Sequence, residues 1–492
     1  MTGWPAERVA LAFGDEEYSH GRLHALAGGI AAALADRGVT KGDRVALMSS
    51  NRPEWVAAML GVWRLGAAVA LFSPAWKETE TRHAVGVVRP AHAVGDHPVL
   101  AASGVPLLHF DNDPVEPAAD TANTADTANT ANTAQPPDYD PHAEAVLVFS
   151  SGTTGLPKAV RHTHGSLGAA IAHWRDALEL TSADRIQVTT PPSHILGLLN
   201  IVTALELGIW MRLHPRFDLD AMLRTVEQDK ITVEMAVAPI ALALANHPSL
   251  ESYDLSSLRF IMWGATPVTA SVAETVTRRS GVAWVPAYGA SELPVIACNP
   301  VRGARLDSVG KAVPGVDVRV IGLDTRQPLD PGEIGEIQLR SPSLMAGYLP
   351  DAETALSMDD GWYRTGDVGY VEPDGWLHLT DRSKEMIKVR GFQVAPAEVE
   401  GVLLGHAAVT DAAVFGVPDG ASGEAIIAAV VTERSVAPAE LIAHVAGRLA
   451  SYKKPREVVA VDRVPRLASG KALRRVLKDD YLKEHGGRAT VT

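Results

Sequence analysis

The sequence predicts an α/β protein with a large N-terminal domain of layered sheets and helices and a small C-terminal α+β domain. The chain has 492 residues, more than a single hydrophobic core usually organises, so at least two domains are expected. Strand-like and helical patterns alternate over roughly the first 110 residues, which is typical of parallel sheets. Residues 399–459 form a separate pattern of helix, strand, hairpin, helix and strand.

The first of these alternations illustrates the pattern. An Ala-rich segment, 23–34, predicts a helix, and the apolar run 45–48 predicts a short strand. Asn51 is a candidate cap for the next helix, which ends near Gly66. Residues 67–72 then predict another strand, so the region is expected to contribute strand–helix–strand units.

Composition narrows the classes of function. The net charge of −13 disfavours non-specific nucleic-acid binding, which depends on neutralising phosphates. Cys298 is the single cysteine, so an intrachain disulfide framework is excluded, and a small buried residue is a simpler interpretation than a nucleophile. The N-terminus lacks a signal-peptide pattern, and the most apolar stretch, 56–72, is interrupted by Arg64. These features predict a cytoplasmic protein without a transmembrane segment.

The stretch 146–160, VLVFSSGTTGLPKAV, carries the strongest chemical signal. Its apolar start predicts a buried strand, and the glycines and hydroxyl residues that follow can fold around an anion and donate hydrogen bonds to it. Lys158 adds a mobile positive charge suited to phosphate oxygens. The spacing differs from the GxxxxGK[ST] loop, and an ordinary Ser/Thr/Gly turn remains an alternative on these residues alone. The predicted phosphate-binding residues are Ser150, Ser151, Gly152, Thr153, Thr154, Gly155 and Lys158.

The string SSGTTGLPK resembles the signature of the adenylate-forming superfamily, which includes acyl-CoA synthetases, luciferases and peptide-synthetase adenylation domains. Further segments resemble later motifs of that superfamily in the same order: YGASE at 288–292, GWYRTGD at 361–367, and VPRLASGKALR at 464–474. The segment 381–396, DRSKEMIKVRGFQVAP, closely resembles the 4-coumarate-CoA-ligase-like branch. The resemblance covers nearly the whole chain, and it departs from the usual family pattern at Ala159, Ser291 and Met262–Trp263.

The resemblance implies a nucleotide site. Glu292 would hold Mg²⁺, Ser291 would bind the α-phosphate, and Asp367 would accept the ribose hydroxyls. Tyr288 would stack on adenine. The remaining nucleotide-binding residues implied by the resemblance are Gly264, Ala265, Gly289 and Arg382.

The resemblance also implies a mobile C-terminal lid. The adenylation domain would comprise residues 1–382 and the lid residues 383–492, with the hinge at Lys384. Lys471 would accelerate adenylation by bridging the acid and the α-phosphate. Lys388 and Gln393 would lie on the lid face that lines a coenzyme A tunnel after rotation, and Gly391 would border the pantetheine.

The acid pocket is implied more loosely. His194 would be the residue that gates the pocket, although a partly buried histidine at a helix start is an alternative. The pocket-lining stretches contain no Arg or Lys, so a second carboxylate on the substrate is not expected, and a flat aromatic or short aliphatic acid is favoured. The predicted pocket residues are His194, Ile195, Met262, Trp263, Gly264, Ala290, Pro294 and Val295.

The predicted function is ATP- and Mg²⁺-dependent activation of a carboxylic acid, followed by transfer to coenzyme A. One alternative retains adenylation but passes the acyl group to a carrier protein or another small nucleophile; another is a binding protein without turnover.

The pair His162 and His164 invites a metal interpretation, but no further ligand with suitable spacing is evident. The Thr/Ala/Asn-rich stretch within 112–141 is expected to be a mobile loop without assigned function, and the protein is expected to be a monomer or a homodimer.

Overall fold

A computed structural model describes residues 4–113, 115–118, 140–150, 157–265, 269–382, 385–389, 392–419, 423–466 and 470–485. Most of the Thr/Ala/Asn-rich stretch, at 114 and 119–139, therefore lies outside the described residues. The strands, in chain order, are β1 Val9–Phe13, β2 Glu16–Ser19, β3 Arg44–Met48, β4 Ala68–Leu71, β5 His92–Gly95, β6 Leu107–His109, β7 Glu144–Ser150, β8 Lys158–Thr163, β9 Arg185–Val188, β10 Trp210–Leu213, β11 Val233–Ala236, β12 Phe260–Trp263, β13 Trp284–Tyr288, β14 Ala297–Cys298, β15 Lys311–Ala312, β16 Asp317–Ile321, β17 Gly335–Arg340, β18 Gly347–Leu349, β19 Met358–Asp359, β20 Trp362–Val371, β21 Leu377–Arg382, β22 Ile387–Val389, β23 Phe392–Val394, β24 Val409–Asp419, β25 Gly423–Thr432 and β26 Glu457–Ala460.

The helices complete the alternation with these strands. In chain order they are α1 His20–Asp36, α2 Pro53–Arg64, α3 Glu78–Val88, α4 Pro98–Ala101, α5 His164–Ala177, α6 Ile195–Leu207, α7 Leu219–Asp229, α8 Ala238–Ala245, α9 Ala270–Ser280, α10 Ala352–Ser357, α11 Pro396–Leu404, α12 Pro438–Ala446 and α13 Arg474–His485. Two short 3₁₀ turns occur at Leu250–Ser252 and Ser451–Lys453.

Among the described residues the strands form four sheets. A nine-stranded sheet has the order β15-β14-β13-β12-β11-β9-β10-β1-β2, and a seven-stranded sheet has the order β18-β8-β7-β4-β3-β5-β6. A third sheet has the order β16-β17-β20-β19, with β21 also paired to β20. The fourth sheet, β23-β22-β25-β24 with β26 on β25, is made from residues after 386. We call these the first, second, third and C-terminal sheets.

The first two sheets have parallel centres, as the strand–helix alternation predicts. Strands β9 to β13 run parallel in the first sheet, and β3, β4, β5 and β7 run parallel in the second. Strands of this kind are covered by helices on both faces, and β4, β11 and β12 are accordingly buried along their whole length. Helix α2 packs against α1 and buries nearly all of its residues in the same core.

The structure confirms the predicted fold class and most of the early elements. The segment 23–34 lies inside α1, and the strands predicted at 45–48 and 67–72 are β3 and β4. The proposed cap at Asn51 is wrong: the N-cap of α2 is Arg52. The Asn51 amide Nδ2 instead donates to the carbonyls of Val188 and Thr190, at 3.2 and 3.3 Å. This side chain therefore ties the end of β3 to the segment that leads into α6.

The C-terminal part has its own small hydrophobic core. Buried apolar side chains between 387 and 458 pack together on the C-terminal sheet, covered by α11 and α12. Over 399–459 the structure has helix, hairpin, helix and strand, without the separate strand predicted before the hairpin. The domain boundary at residue 382 stays a prediction. None of the helices in the described part of the chain is both long and apolar enough to span a bilayer.

Candidate active site

Three of the predicted nucleotide-binding residues lie where the first three sheets meet. Tyr288 ends β13 of the first sheet, Lys158 begins β8 of the second, and Asp367 lies in β20 of the third. Side-chain hydrogen bonds join the sheets at this point, including one from Tyr288 to Asp367. Lys158 and Asp367, which are about two hundred positions apart in the sequence, therefore lie at the same junction.

The loop after β13 is shaped by a glycine. A Cβ on Gly289 would lie only 2.1 Å from the carbonyl oxygen of Pro294, so no larger residue fits without moving the backbone. The amide of Ala290 donates to the carbonyl of Leu293 at 2.9 Å, which closes a tight turn. The predicted phosphate and metal residues lie within this turn, and the site therefore holds them on a short, constrained loop.

Tyr288 and Asp367 are both buried, and the Tyr288 hydroxyl donates to the Asp367 carboxylate. The amide of Asp367 also donates to Thr365 Oγ1 at 2.9 Å, which orients this part of β20. The residues predicted to contact adenine and ribose are thus adjacent, as one nucleoside requires. A ribose bound by Asp367 would either share the Asp367 carboxylate with the Tyr288 hydroxyl or displace that hydroxyl from the carboxylate.

Glu292, the predicted magnesium ligand, is almost fully buried and is held from two directions. Tyr348 Oη donates to Glu292 Oε1 at 2.7 Å, and the amide of Met345 donates to the Glu292 carbonyl at 2.8 Å. In the described part of the chain no group of three or more His, Cys, Asp or Glu side chains could hold a metal ion. A single carboxylate nevertheless fits Mg²⁺, because that ion is commonly bound by one or two carboxylates together with substrate phosphates.

His162 supports the same loop and was missed by the sequence analysis, which considered it only as a metal ligand. It is completely buried, and its Nε2 lies 2.7 Å from the carbonyl oxygen of Ser291. Its Nδ1 lies 3.2 Å from Ser166 Oγ. Burial lowers the pKa of His162 to about 4, so the ring is neutral at pH 7. A proton on Nε2 then donates to Ser291, while Nδ1 accepts from Ser166.

Lys158 forms an ion pair with Glu353, on helix α10. Its Nζ also lies over the ring of Tyr348, 5.7 Å from the ring centre. A phosphate group at this lysine would compete with Glu353 for the ammonium. Ser150 ends β7, and its backbone pairs with Lys158 across the second sheet. The other loop residues, at 151–155, lie outside the described residues.

His194 caps helix α6 at the start of the predicted acid pocket. Its Nδ1 accepts a hydrogen bond from the amide of Leu196 at 3.3 Å. Burial lowers the pKa of His194 to about 4, so the ring is neutral and carries its proton on Nε2. The residue can therefore present an N–H donor beside the pocket. Ile195, Pro294 and Val295, also predicted to line the pocket, are buried.

Met262 and Trp263 lie on opposite faces of β12, because successive side chains of a strand alternate. The Trp263 ring lies 5.1 Å from that of Trp284, whose Nε1 donates to a carbonyl of α9. Trp263 therefore packs beneath α9. Met262 instead faces the side of Gly264, where its Sδ would be 3.2 Å from an added Cβ. The two residues predicted together as pocket lining thus do not share a face.

The turn after β12 contains a strained residue. Ala265, predicted with Gly264 to contact the nucleotide, has a φ of +62°. This left-handed conformation costs a residue with a Cβ roughly 1 kcal/mol or more. Residues 266–268 lie outside the described residues.

The predicted lid residues lie in the C-terminal part. Lys471 Nζ lies 3.0 Å from Glu385 Oε1, and Glu385 is also bound by Arg474. Lys388 is exposed in β22, and its backbone pairs with that of Gln393 in β23. The side chains of Arg382 and Gln393, and the whole of Lys384 and Gly391, lie outside what the structure describes.

Cys298 is buried on β14, and burial raises the pKa of its thiol to about 12. Its Sγ lies 3.9 Å from the carbonyl oxygen of Ala177. A thiol in this state is a poor nucleophile, since the thiolate is the reactive form. This is consistent with the small buried residue that the sequence suggested.

Comparison with known proteins identifies the family. The model of the AMP-binding enzyme family matches residues 1–349, and that of its C-terminal domain matches residues 398–471. The chain belongs to the AMP-binding enzymes. This confirms the adenylate-forming superfamily that SSGTTGLPK indicated.

Curated relatives in the AMP-binding family are similar along nearly their whole length. The chain is 32% identical to 4-coumarate–CoA ligase 3 of Arabidopsis thaliana, with 94% of this chain and 86% of that protein covered. It is 34% identical to indoleacetate–CoA ligase of Aromatoleum aromaticum, with 96% and 94% covered. It is 35% identical to feruloyl-CoA synthase of an Amycolatopsis species, with 96% and 97% covered.

Solved structures of AMP-binding enzymes share the fold. The amide bond synthetase McbA from Marinactinospora thermotolerans has a TM-score of 0.86 and 31% identity, with 96% of this chain and 97% of that chain covered. o-Succinylbenzoate–coenzyme A synthetase from Bacillus subtilis, in complex with ATP and magnesium, has a TM-score of 0.85 and 29% identity, with 96% and 97% covered. The large N-terminal and small C-terminal parts predicted from the sequence agree with this architecture.

Proposed function

We propose that this AMP-binding enzyme is an AMP-forming acid–thiol ligase, which activates a carboxylic acid with ATP and transfers the acyl group to coenzyme A. The observation that carries the proposal is the meeting of Tyr288, Asp367, Glu292 and Lys158 at the junction of three sheets. Together they supply contacts for a nucleoside, a metal ion and phosphates. The relatives named as CoA ligases support the same activity.

In the first half-reaction, a carboxylate oxygen of the acid attacks the α-phosphorus of ATP, and the bond to the β-phosphate oxygen breaks. The products are an acyl-adenylate and pyrophosphate. Bound Mg²⁺, held by Glu292, would reduce the repulsion between the two anions. Lys158 would bind the outgoing phosphates, and Lys471 would bridge the acid and the α-phosphate. Asp367 and Tyr288 would fix the nucleoside, so that the α-phosphorus is oriented toward the acid.

In the second half-reaction, the thiolate of coenzyme A attacks the acyl carbon, and AMP leaves with the electrons of the broken anhydride bond. We place the hinge at Lys384 and the lid at residues 383–492. Rotation at the hinge would exchange Lys471 for the face that carries Lys388, Gln393 and Gly391. Lys388 is exposed and thus accessible to a phosphorylated cofactor.

We propose an aromatic acid as the substrate. The relatives named above are ligases of 4-coumarate, ferulate and indoleacetate. The buried pocket residues Ile195 and Val295 are apolar, and His194 adds one neutral N–H donor. This combination suits a ring and not a second carboxylate. Trp263 packs under α9, so Met262 is the residue of this pair that lies on the side of β12 near Gly264.

An amine is a second candidate acceptor. The amide bond synthetase McbA is similar over nearly the whole chain, at 31% identity. An amine would attack the same acyl carbon and also release AMP. The two reactions share the first half, so pyrophosphate release alone does not distinguish them.

The experiment is a panel of aromatic, short-chain and long-chain acids with ATP and Mg²⁺. Pyrophosphate release is measured with coenzyme A, with amines and with neither, and products are identified by mass. The proposal expects an aromatic acid to give AMP and its CoA thioester. Faster turnover of long-chain fatty acids contradicts the acid class, and amide without thioester contradicts the acceptor. Lys471→Ala should abolish pyrophosphate release. The matched control Lys478→Ala, which removes a lysine paired with Glu424 on the C-terminal sheet, should retain it.

A further inference from the structure

Tyr348 lies at the point where the metal carboxylate and the phosphate lysine approach each other. Its hydroxyl contacts Glu292 at 2.7 Å, and its ring faces the ammonium of Lys158 at 5.7 Å. Tyr348 is buried, whereas the side chain of Lys158 is 21% exposed. One side chain therefore touches the two oppositely charged groups that the proposed function assigns to the metal and to the phosphates.

The hydrogen bonds at Tyr348 have a fixed direction. A carboxylate can only accept, so the Tyr348 hydroxyl donates its proton to Glu292. The oxygen of Tyr348 then accepts from the hydroxyl of Tyr363, at 3.2 Å. Tyr363 is itself buried, and burial raises the pKa of its phenol well above 10. The result is a directed chain of hydrogen bonds from Tyr363 through Tyr348 to Glu292.

The backbone of Tyr348 is also fixed by hydrogen bonds. Tyr348 pairs with Val160 across β18 and β8, two residues after Lys158. Its amide donates to Thr354 Oγ1 at 2.8 Å, on the helix that also carries Glu353, the partner of Lys158. The position of the phenol is thus set by the same strand and helix that set the lysine.

We propose that Tyr348 is a positioning residue for the Mg²⁺-bound nucleotide, resting on the proposed use of ATP at this site. The hydroxyl orients the Glu292 carboxylate toward the metal position, and the ring places the Lys158 ammonium at the phosphates. Tyr363 donates a hydrogen bond to the Tyr348 hydroxyl and so helps to fix its orientation. Groups that orient a metal ligand in this way usually change metal affinity by about 10- to 100-fold when they are removed.

The test measures binding of α,β-methylene-ATP, which cannot transfer its AMP group to an acid, to the full chain by calorimetry with Mg²⁺ and with EDTA. Tyr348→Phe keeps the ring and removes the hydroxyl. It should weaken the Mg²⁺-dependent affinity about tenfold and leave the metal-free affinity within about twofold. Tyr348→Leu also removes the ring, and should weaken metal-free binding about two- to fivefold through the lost contact with Lys158.

The control is Tyr253→Phe, which removes a tyrosine–carboxylate hydrogen bond of 2.7 Å, to Asp220, elsewhere on the surface. It should change neither affinity. Equal loss with Mg²⁺ and with EDTA in Tyr348→Phe, or no loss in either, overturns the proposal. If circular dichroism shows that Tyr348→Phe is unfolded, Tyr363→Phe decides by the same criterion, with a selective loss of about twofold or more supporting the proposal.

The measurement needs neither acid nor coenzyme A. A failure to find any acid that is adenylated would refute the proposed function without affecting this result. A selective loss of metal-dependent binding would still support the role of Tyr348. A chain that does not bind the analogue at all refutes both.

Discussion

Glu234→Gln should change how stability depends on pH, because Glu234 is a carboxyl buried completely inside the first sheet. Its two oxygens accept from Gln187 Nε2 and from the amide of Met235. The Gln187 oxygen in turn accepts from His214 and Thr225, at 2.8 and 2.6 Å, so its amide cannot rotate to donate elsewhere. No cation is among these partners, and burial raises the pKa of Glu234 from 4.5 to about 8.

The sign follows from proton binding. In the unfolded chain the carboxyl loses its proton near pH 4.5, whereas in the folded protein it keeps the proton to about pH 8. The stability from this group is therefore fully present below pH 4.5 and is lost as the pH rises through 8. Between pH 6 and 8 the loss approaches about 1.4 kcal/mol per pH unit, or up to roughly 3 kcal/mol in all.

Glu234→Gln removes this pH dependence but puts an NH₂ group opposite one of the two donors. That conflict costs about 1–3 kcal/mol at every pH. The wild type has already lost about 2 kcal/mol of this contribution by pH 6, so the variant should melt close to the wild type at pH 6 and above it by pH 8.5. At about 1–2 °C per kcal/mol for a domain of this size, the difference in Tm should move by roughly 3–5 °C in favour of the variant.

The assay is calorimetric melting of both proteins from pH 6.0 to 8.5. His214 has a pKa of about 4 and is common to both chains, so its titration cancels in the difference. The control Glu251→Gln removes an exposed carboxyl whose pKa is lowered to about 2 by Arg279. Its contribution is lost only on acidification, so its difference in Tm should stay flat over this range. A flat difference for Glu234→Gln as well would refute the reasoning.

Three further predictions concern the nucleotide site. Glu353→Gln breaks the ion pair with Lys158 and should raise the affinity for metal-free ATP about two- to fivefold, as measured by calorimetry. A lower affinity would contradict the inference that Glu353 competes with phosphate for Lys158. His162→Leu removes the hydrogen bond to the half-buried Ser291 carbonyl. It should slow pyrophosphate release about tenfold without changing the KM of the acid, and an unchanged rate would disprove this expectation. Asp367→Asn should weaken the binding of ATP about tenfold but leave the binding of 2′,3′-dideoxy-ATP unchanged. Equal losses of affinity for both nucleotides would argue against a contact between Asp367 and the ribose.

The proposed nucleotide-site residues could be singled out from the sequence because they belong to short strings with unusual composition. Tyr288, Glu292 and Asp367 each lie in such a string, and the structure brings their side chains to one place. His162 and Tyr348 could not be found in this way. Each makes a hydrogen bond to a residue more than fifty positions away, and nothing near either residue in the sequence marks that contact.

The acid pocket was harder to predict for a different reason. Met262 and Trp263 are neighbours in the sequence, and the resemblance placed them together beside the substrate. Strand alternation separates them, and only the contact with Trp284 shows which one turns away. The predicted Asn51 cap was wrong for a similar reason. Asparagine suits a helix cap, but the Asn51 side-chain amide donates to carbonyls of Val188 and Thr190, before α6. Tertiary contacts decided both cases.

The pairing of Lys471 suits its proposed role, in which it would leave the site and return in each cycle. Its partner, Glu385, lies beside the proposed hinge and is also bound by Arg474, which in turn holds Glu400 at 2.8 Å. If Lys471 departs, Glu385 therefore keeps a cation and is not left as an unpaired charge. Partly exposed ion pairs contribute at most about 1 kcal/mol, so the lysine can be released at little cost. The cluster thus gives Lys471 a resting position without trapping it, which is what alternation between two half-reactions requires.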